Sequence, residues 1–235
     1  MDGGLLHCAA ALNLQDKVQE ARAQNLANAN TDGYRRRIAV ADAFSTALRM
    51  AMGTKLPGAK ESIDFTSGPL RETGNDLDLA IDGKAFFALD TARGTRFTKN
   101  GNFTLNADGE IVASDGARLQ GTSGPIRVRG NGGPITIDGS GKVSQDGAAL
   151  GQVRLVDFAN DKRLVAEDKG RFRDLPGANP TDSLDSRIQQ GALEGSNVNE
   201  IDELVQMISG LRAFEAAQKS LVGLDRLRGE ALNNR

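Results

Sequence analysis

The sequence predicts an α+β fold in which long N- and C-terminal helices flank a central antiparallel all-β domain. Residues 3–30 and 198–232 contain no proline and are rich in good helix formers. Between them lies a glycine-dense stretch of short β-branched runs. We expect the two helices to pack as an α-helical coiled-coil-like pair, because their apolar stripes exceed what a small β domain could cover.

The composition argues against a nucleic-acid partner. The chain of 235 residues has 29 Lys and Arg against 31 Asp and Glu, which gives a formal net charge of −2. Such a balance implies no polyanion partner, and it weakens repulsion between copies of the chain. The short basic run at residues 35–37 is therefore interpreted as a solvated or interface patch.

The cysteine count and the N-terminal sequence bear on compartment and export. Cys8 is the only cysteine, so no internal disulfide is possible. The N-terminal residues lack the basic region and the uninterrupted apolar run of a signal peptide. If the protein is exported, we expect a route without a cleaved signal peptide.

The first helix carries an imperfect apolar stripe with a period between 3.5 and 3.6 residues, which is typical of a helix in a shared bundle. The stripe consists of Leu5, Ala9, Leu12, Leu14, Val18 and Ala21. An Asn-rich segment, residues 25–34, predicts that the helix ends near Asn30. This segment is either an ordinary helix C-cap or a rigid corner, and its residues alone support both interpretations equally.

We divide the chain into four segments. Residues 1–34 form the N-terminal helix and Asn-rich corner, and residues 35–70 form a connector that is partly extended. Residues 71–190 form the β domain, and residues 191–235 the C-terminal helix. Within the connector, residues 35–53 permit a second helix, whose apolar face would be formed by Phe44, Ala47, Leu48 and Ala51.

Short alternating runs separated by Asp-Gly or Asn-Gly pairs predict hairpins throughout the middle of the chain. The clearest examples are residues 77–81 and 85–89, which are joined at Asp82-Gly83, and the Asn100-Gly101 turn before Phe103. Further strands are expected at residues 111–112, 126–128, 135–137 and 153–156. No long helix separates them, so a parallel α/β sheet is not expected.

The C-terminal helix has a long apolar stripe. We expect Asn197 to cap it, because Glu200 follows at the capping-box spacing. The stripe runs for about 40 Å at ~1.5 Å per residue, so it must pair with the first helix, with other copies, or with both. It consists of Ile201, Leu204, Ile208, Leu211, Phe214, Ala217, Leu221, Leu224 and Leu227.

The patterns of common enzymes are missing from the sequence. His7 is the sole histidine, and the chain has no HExxH, CxxC or GxSxG motif. The GSGK stretch at residues 139–142 lacks the first glycine and the Ser/Thr of a phosphate loop, so we interpret it as a turn. We therefore predict no catalytic, cofactor-binding or metal-binding residues, no cofactor and no small-molecule substrate.

One acidic set offers a hydrolase alternative. Asp76, Asp78 and Asp82 are separated by even steps, so a regular strand would place them on one face. A solvated strand face explains them more simply than a catalytic cleft does.

Four stretches of the chain resemble the axial proteins of the bacterial flagellar rod and hook. They are NLANANTDGYRRR at 25–37, TGNDLDLAIDGKAFFAL at 73–89, RFTKNGNFTLNADGEIVASDG at 96–116, and GALEGSNVNEIDELVQMISGLRAFEAAQKSL at 191–221. They occur in the order found in that family and cover both ends and half of the middle. The chain is most similar to the proximal-rod subunits, and the distal-rod subunit is the alternative within the family.

The resemblance implies a non-enzymatic structural subunit of the flagellar basal-body rod. Such a subunit would be exported through the flagellar type III apparatus and would polymerise with copies of itself and other rod subunits. It would form a torque-transmitting shaft and export channel across the periplasm. The alternative from another class is a secreted β-domain binding module that its helices oligomerise.

The predicted assembly residues come from both ends of the chain. From the first helix and the Asn-rich corner they are Leu5, Leu12, Asn25, Leu26, Asn28, Asn30, Thr31, Gly33 and Tyr34. From the C-terminal segment they are Asn197, Ile201, Leu204, Ile208, Leu211, Phe214, Leu221 and Leu224.

Overall fold

The structure, a computed structural model, describes residues 3–41, 59–130 and 132–233. These residues form one α-helix near each end of the chain and a largely β middle. Helix α1 spans Gly3–Ala27 and helix α2 spans Glu200–Asn233. The chain divides into a helical unit, residues 1–29, 36–64 and 198–235, and a β unit, residues 30–35 and 65–197. The four segments predicted from sequence stay a prediction.

Nineteen strands and two short 3-10 turns, Asp161–Arg163 and Asp168–Gly170, occur in the described residues. The strands are β1 (Arg37–Ala41), β2 (Ala59–Ile63), β3 (Leu70–Glu72), β4 (Leu79–Asp82), β5 (Phe86–Thr91), β6 (Gly94–Thr98), β7 (Phe103–Leu105), β8 (Ile111–Ala113), β9 (Arg118–Gly121), β10 (Gly124–Pro125), β11 (Ile135–Ile137), β12 (Lys142–Gln145), β13 (Ala148–Gln152), β14 (Leu155–Phe158), β15 (Leu164–Ala166), β16 (Arg171–Asp174), β17 (Pro180–Asp182), β18 (Arg187–Gln190) and β19 (Ala192–Glu194).

The helical unit contains a strand where the sequence permitted a helix. β1 pairs with β2 in an antiparallel register that runs from Arg37 opposite Ile63 to Ala41 opposite Ala59. The amide of Asn25 donates to Arg37 O and accepts from Arg37 N, each at 2.8 Å, and so holds this backbone extended. The predicted helix over residues 35–53 is therefore wrong at β1. Its apolar face, Phe44, Ala47, Leu48 and Ala51, lies outside the described residues.

The predicted coiled-coil-like pair is wrong. Along the described side chains, α1 meets α2 through hydrogen bonds from its polar side chains to the α2 backbone. Gln15 Nε2 donates to Gly210 O at 3.1 Å, Gln19 Nε2 to Met207 O at 3.2 Å, and Arg22 Nη1 to Gln206 O at 2.6 Å. This polar seam forms because Gly210 leaves the α2 backbone open: a Cβ there would lie 2.1 Å from Gln19 Nε2.

The β unit is built from antiparallel pairs. Its largest sheet has the order β15-β16-β6-β5-β9-β8-β7, with β10 beside β9, and β14 between β5 and β17. Smaller sheets are β11-β12-β13, β4-β18 and β3-β19. Asp146 and Gly147, with φ of 52° and 78°, join β12 to β13. Positive φ at both positions is the two-residue turn that an Asp-Gly pair favours.

Strand β5 is buried on both faces and therefore separates two apolar clusters. Phe87 and Leu89 belong to the larger cluster, together with Leu79, Phe103 and Ile111. On the other face, Phe86 packs with Phe65, Phe158 and Phe172 at ring-centroid distances of 5.5–5.7 Å. All three contacts are edge-to-face, an arrangement that aromatic rings prefer.

A buried lysine lies against this aromatic cluster. Lys99 Nζ donates to Gly83 O at 2.8 Å and lies 5.2 Å from the centroid of the Phe86 ring. Burial lowers the pKa of Lys99, Glu194 and Asp157 oppose this shift and nearby Arg35 adds to it, and the resulting pKa is about 8. The apolar surroundings thus disfavour the charged, ammonium form of the Lys99 side chain.

A buried ion pair fixes residues 30–35 within the β unit. Arg35 Nη2 donates to Glu194 Oε1 at 2.7 Å, and the two side chains are 0% and 1% exposed. The same carboxylate oxygen accepts from Gly68 N at 2.9 Å. Arg35 Nε and Nη1 and Glu194 Oε2 have no hydrogen-bond partner among the described residues. Each of these two buried charges is therefore stabilised mainly by the other.

Gly33 brings the same segment against the sheet. Its N–H donates to Glu194 O at 2.6 Å, and its φ is +70°. A Cβ at this position would lie 2.2 Å from Asn100 N, so backbone packs directly on backbone. Both the conformation and the space require glycine here.

Glu194→Ala is expected to destabilise the protein by about 3–5 kcal/mol, because it leaves a buried guanidinium without its partner. The measurement is urea unfolding followed by circular dichroism. Asp32→Ala is the matched control, since it breaks the exposed ion pair with Arg71 and should change the free energy of unfolding by less than about 1 kcal/mol. The double variant Arg35→Met/Glu194→Leu should recover most of the loss. A loss no larger than that of the control would contradict the structural role of the pair.

Lys99→Met is expected to change how stability depends on pH. The folded pKa of about 8 lies below the ordinary 10.5, so between these values the unfolded chain holds a proton that the folded chain has lost. Lys99 therefore raises the free energy of unfolding as pH rises through this window, by at most roughly 3 kcal/mol. The measurement is the difference in unfolding free energy between wild type and Lys99→Met from pH 7 to 10.5. A pH-independent difference would rule out the shifted pKa.

Candidate functional site

Helix α2 presents an apolar face that nothing in the described residues covers. Ile201, Leu204, Ile208 and Leu211 follow each other in steps of three and four, so they share one side of the helix. Their exposed fractions are 72%, 44%, 52% and 50%. A contiguous exposed row of large aliphatic side chains marks an interaction surface. We call these four residues the α2 stripe.

The α2 stripe is turned away from α1. The side of α2 that meets α1 carries Glu203, Gln206, Met207 and Gly210. At ~100° per residue, the centre of the stripe lies roughly 120° around the helix from that side. The sequence left pairing with α1, with other copies, or with both. Pairing with α1 does not occur along the stripe.

The start of α2 is fixed by Asn199. Its Oδ1 accepts from Ile201 N at 3.1 Å and from Asp202 N at 3.3 Å. These are the bonds of an N-cap residue. The expected cap, Asn197, lies two residues earlier, and its amide donates to Thr66 O at 3.0 Å. The predicted cap was wrong by two residues. Residues 197 and 199 are both asparagine, and the spacing to Glu200 favoured the first of them.

Glu203 connects α2 to the rest of the helical unit. Its Oε1 accepts from Arg36 Nε at 2.6 Å and from Asn25 Nδ2 at 3.3 Å, and the residue is 1% exposed. Asn25 also holds the backbone of Arg37. One amide thus positions both β1 and the first turns of α2.

The Asn-rich segment is shared between the two units. Asn25, Leu26 and Asn28 belong to the helical unit, where Asn28 Nδ2 donates to Gln24 O at 2.8 Å. Asn30, Thr31, Gly33 and Tyr34 belong to the β unit; Gly33 and Tyr34 are buried there, and Asn30 is exposed.

The other predicted assembly residues vary in exposure. Phe214 is half-buried on α2. The side chains of Leu5, Leu12, Leu221 and Leu224 lie outside the described part of the structure. The assembly role of the predicted set stays a prediction.

The residues that orient the exposed face were not predicted from the sequence, which suggested no role for Gln15, Gln19, Arg22 or Gly210. Their spacing of four and three on α1 was the available signal, because it places three long donors on one side. Nothing in the sequence indicated that backbone carbonyls of α2 would accept from them.

The acidic set has no catalytic geometry. Asp78 is buried and its Oδ1 accepts from Asn102 Nδ2 at 3.2 Å, whereas Asp76 and Asp82 are exposed. The interpretation of all three as a solvated strand face is therefore wrong for Asp78. No cluster of His, Cys, Asp or Glu suited to a metal ion occurs in residues 3–41, 59–130 and 132–233. None of the helices in these ranges is long and apolar enough to span a membrane.

Three family models match the chain in order. Residues 5–35 match the flagella basal body rod protein model, and residues 80–145 match the D1 domain of the flagellar hook protein FlgE/F/G. Residues 189–234 match the C-terminal model of the flagellar basal body rod FlgEFG proteins. The last match contains the α2 stripe.

Full-length relatives agree with these matches. The flagellar basal-body rod protein FlgF of Rhizobium meliloti is 34% identical over 222 residues, which cover 92% of this chain and 90% of the relative. FlgF of Caulobacter vibrioides is 32% identical, with 85% and 84% covered. The flagellar basal-body rod protein FlgG of Bacillus subtilis is 31% identical, with 94% of each chain covered.

The sequence prediction of the family is thereby confirmed. Proteins of this family are structural subunits of the basal-body rod, assemble with other rod subunits and are not enzymes. The chain belongs to the flagellar basal-body rod protein family, and the rod proteins named FlgF and FlgG are among its relatives.

Proposed function

We propose that this rod subunit polymerises through its terminal helices and that the α2 stripe is the main contact between neighbouring subunits. The rod so formed acts as the torque-transmitting shaft and encloses the channel through which later subunits are exported. The single observation that carries the proposal is the row of large aliphatic side chains left exposed on α2.

The free-energy balance favours a neighbour on this face. Fully burying one Leu or Ile contributes about 1.5–3 kcal/mol, and each member of the stripe has roughly half or more of its surface left to bury. Four such residues in one row supply enough apolar contact to offset part of the ordering cost of association. The polar seam with α1 leaves this row uncommitted inside the subunit.

The seam between α1 and α2 supports a role as a pre-formed helical pair. Gln15, Gln19 and Arg22 hold α2 by its backbone, so the α2 stripe is presented in a fixed orientation. A fixed orientation lowers the ordering cost of binding. The proposal also includes the predicted assembly residues on α1, Leu5 and Leu12.

We further propose export through the flagellar type III apparatus without signal cleavage, and passage of the finished rod across the periplasm. Membership of the rod family supports this route.

Leu211→Asp is expected to abolish incorporation into the rod, because it places a carboxylate in an interface that excludes water. The measurement is swimming motility, together with detection of the chain in isolated basal bodies, in a flagellated host that carries the variant in place of its own copy. Circular dichroism of the purified variant should show an unchanged fold, since Leu211 is half-exposed.

Ser209→Asp is the matched control. Ser209 is exposed on α2 and lies neither on the α2 stripe nor on the side that meets α1. The same charge at this position should leave incorporation within about threefold of wild type. Normal motility of Leu211→Asp, or equal loss in both variants, would contradict the stripe as the assembly surface.

A further inference from the structure

Asn25 belongs to the predicted assembly residues, yet it is buried inside the subunit. The residue lies in the last turn of α1 and is 1% exposed. A side chain enclosed in this way has almost no surface to offer to a neighbouring subunit. An effect of Asn25 on assembly must therefore pass through the residues that it contacts within the helical unit.

The amide of Asn25 bonds two different elements at once. On β1 its Nδ2 donates to Arg37 O and its Oδ1 accepts from Arg37 N, each at 2.8 Å. On α2 the same Nδ2 donates to Glu203 Oε1 at 3.3 Å. A primary amide has two N–H donors and one carbonyl acceptor, so this arrangement uses both donors and the acceptor. Aspartate has a similar size but no donor, and it would repel the Glu203 carboxylate.

Glu203 receives a second donor from the residue that precedes β1. Its Oε1 accepts from Arg36 Nε at 2.6 Å, and the Glu203 side chain is 1% exposed. The other carboxylate oxygen, Oε2, has no hydrogen-bond partner among the described residues. A buried carboxylate needs donors to offset the loss of water, so Glu203 depends on Arg36 and Asn25. The start of α2 and the start of β1 thus share one set of bonds.

This set of bonds lies next to the α2 stripe. Glu203 stands between Ile201 and Leu204 in the sequence, and at about 100° per residue its side chain lies on a different side of the helix. The polar seam with α1 reaches α2 one turn later, from Gln206 onwards. Glu203 therefore anchors, ahead of the seam, the part of α2 from which Ile201 and Leu204 project.

We propose that Asn25 is a positioning residue for assembly, which makes the start of the α2 stripe and β1 order together through Glu203. Because both elements bond the same amide, disorder in one element removes a partner of the other, and the effect is reciprocal. The inference rests on the proposed role of the α2 stripe, and it names the contact inside the subunit that controls the stripe.

The first test is Asn25→Asp in the full chain. This change removes both donors and places a second carboxylate beside Glu203. Hydrogen exchange of the purified chain, followed by mass spectrometry, should become about tenfold faster in β1 and at residues 200–206. In a host that carries the variant in place of its own copy, the amount in isolated basal bodies should fall about tenfold as well. Unchanged exchange in β5 shows that the β unit is folded.

Ala23→Asp is the matched control. Ala23 is exposed on α1, two residues before Asn25, and it is not one of the predicted assembly residues. The same charge is then placed on the solvent side of α1. Exchange in both elements and incorporation should stay within about threefold of wild type. Equal effects of Ala23→Asp and Asn25→Asp overturn the inference.

Adding Glu203→Gln to Asn25→Asp tests the coupling. The amide and the carboxylate are then exchanged, so an amide at position 203 donates to a carboxylate at position 25. Glu203 makes no hydrogen bond to the backbone of β1 in the described residues, yet coupling predicts that exchange in β1 becomes about threefold slower than in Asn25→Asp. Exchange in β1 as fast as in Asn25→Asp overturns the coupling.

Glu203→Gln alone keeps the inference testable if Asn25→Asp does not fold. It weakens the bonds on α2 only, and coupling predicts about threefold faster exchange in β1. Wild-type exchange in β1 overturns the coupling.

The outcomes separate this inference from the proposed function. Normal exchange in Asn25→Asp, or its normal incorporation while Leu211→Asp is excluded from basal bodies, overturns this inference alone. Normal incorporation of both variants overturns the α2 stripe as the assembly surface as well.

Discussion

The ion pair between Arg35 and Glu194 is the constraint on which the β unit depends. Both side chains are withdrawn from water, so neither charge can be left single. Because Glu194 also holds Gly68 N through its side chain and Gly33 N through its backbone, three separate stretches of chain meet at one residue. Residues 30–35 belong to the β unit, although the residues on both sides of them in the sequence belong to the helical unit. The ion pair between Arg35 and Glu194 fixes them there.

Each of the two units is stabilised internally, and the dominant interactions differ between them. The β unit has two apolar clusters on either side of β5, and the aromatic one is dense enough to enclose the amine of Lys99. The helical unit relies on a polar seam whose hydrogen bonds contribute only about 0.5–1.5 kcal/mol each. A unit stabilised in this way keeps its aliphatic side chains available for neighbours, which is the property a polymerising subunit requires.

Local patterns in the sequence predicted turns and helices better than they predicted contacts between residues that are distant in the sequence. Asp-Gly pairs predicted turns correctly, because glycine, and less often aspartate, readily adopts the positive φ that these turns require. The coiled-coil-like pair was wrong because polar side chains of α1 bind the α2 backbone and the α2 stripe stays exposed. β1 could not be foreseen, because the amide of Asn25 imposes its extended backbone from twelve residues away. Glu194 follows Leu193 in a short strand, and alternation alone would place it in solvent, yet it is buried.

The polar seam also determines where sequence variation can be tolerated. Gln15, Gln19 and Arg22 donate to carbonyls that every residue type possesses, so the side chains of Gln206 and Met207 are not recognised by these bonds. Gly210 is the exception, since any larger residue would displace the donors. The seam therefore constrains the donors on α1 and Gly210 on α2, and it places no constraint on the side chains of the α2 stripe. Related rods could in this way acquire distinct joints without redesign of the monomer.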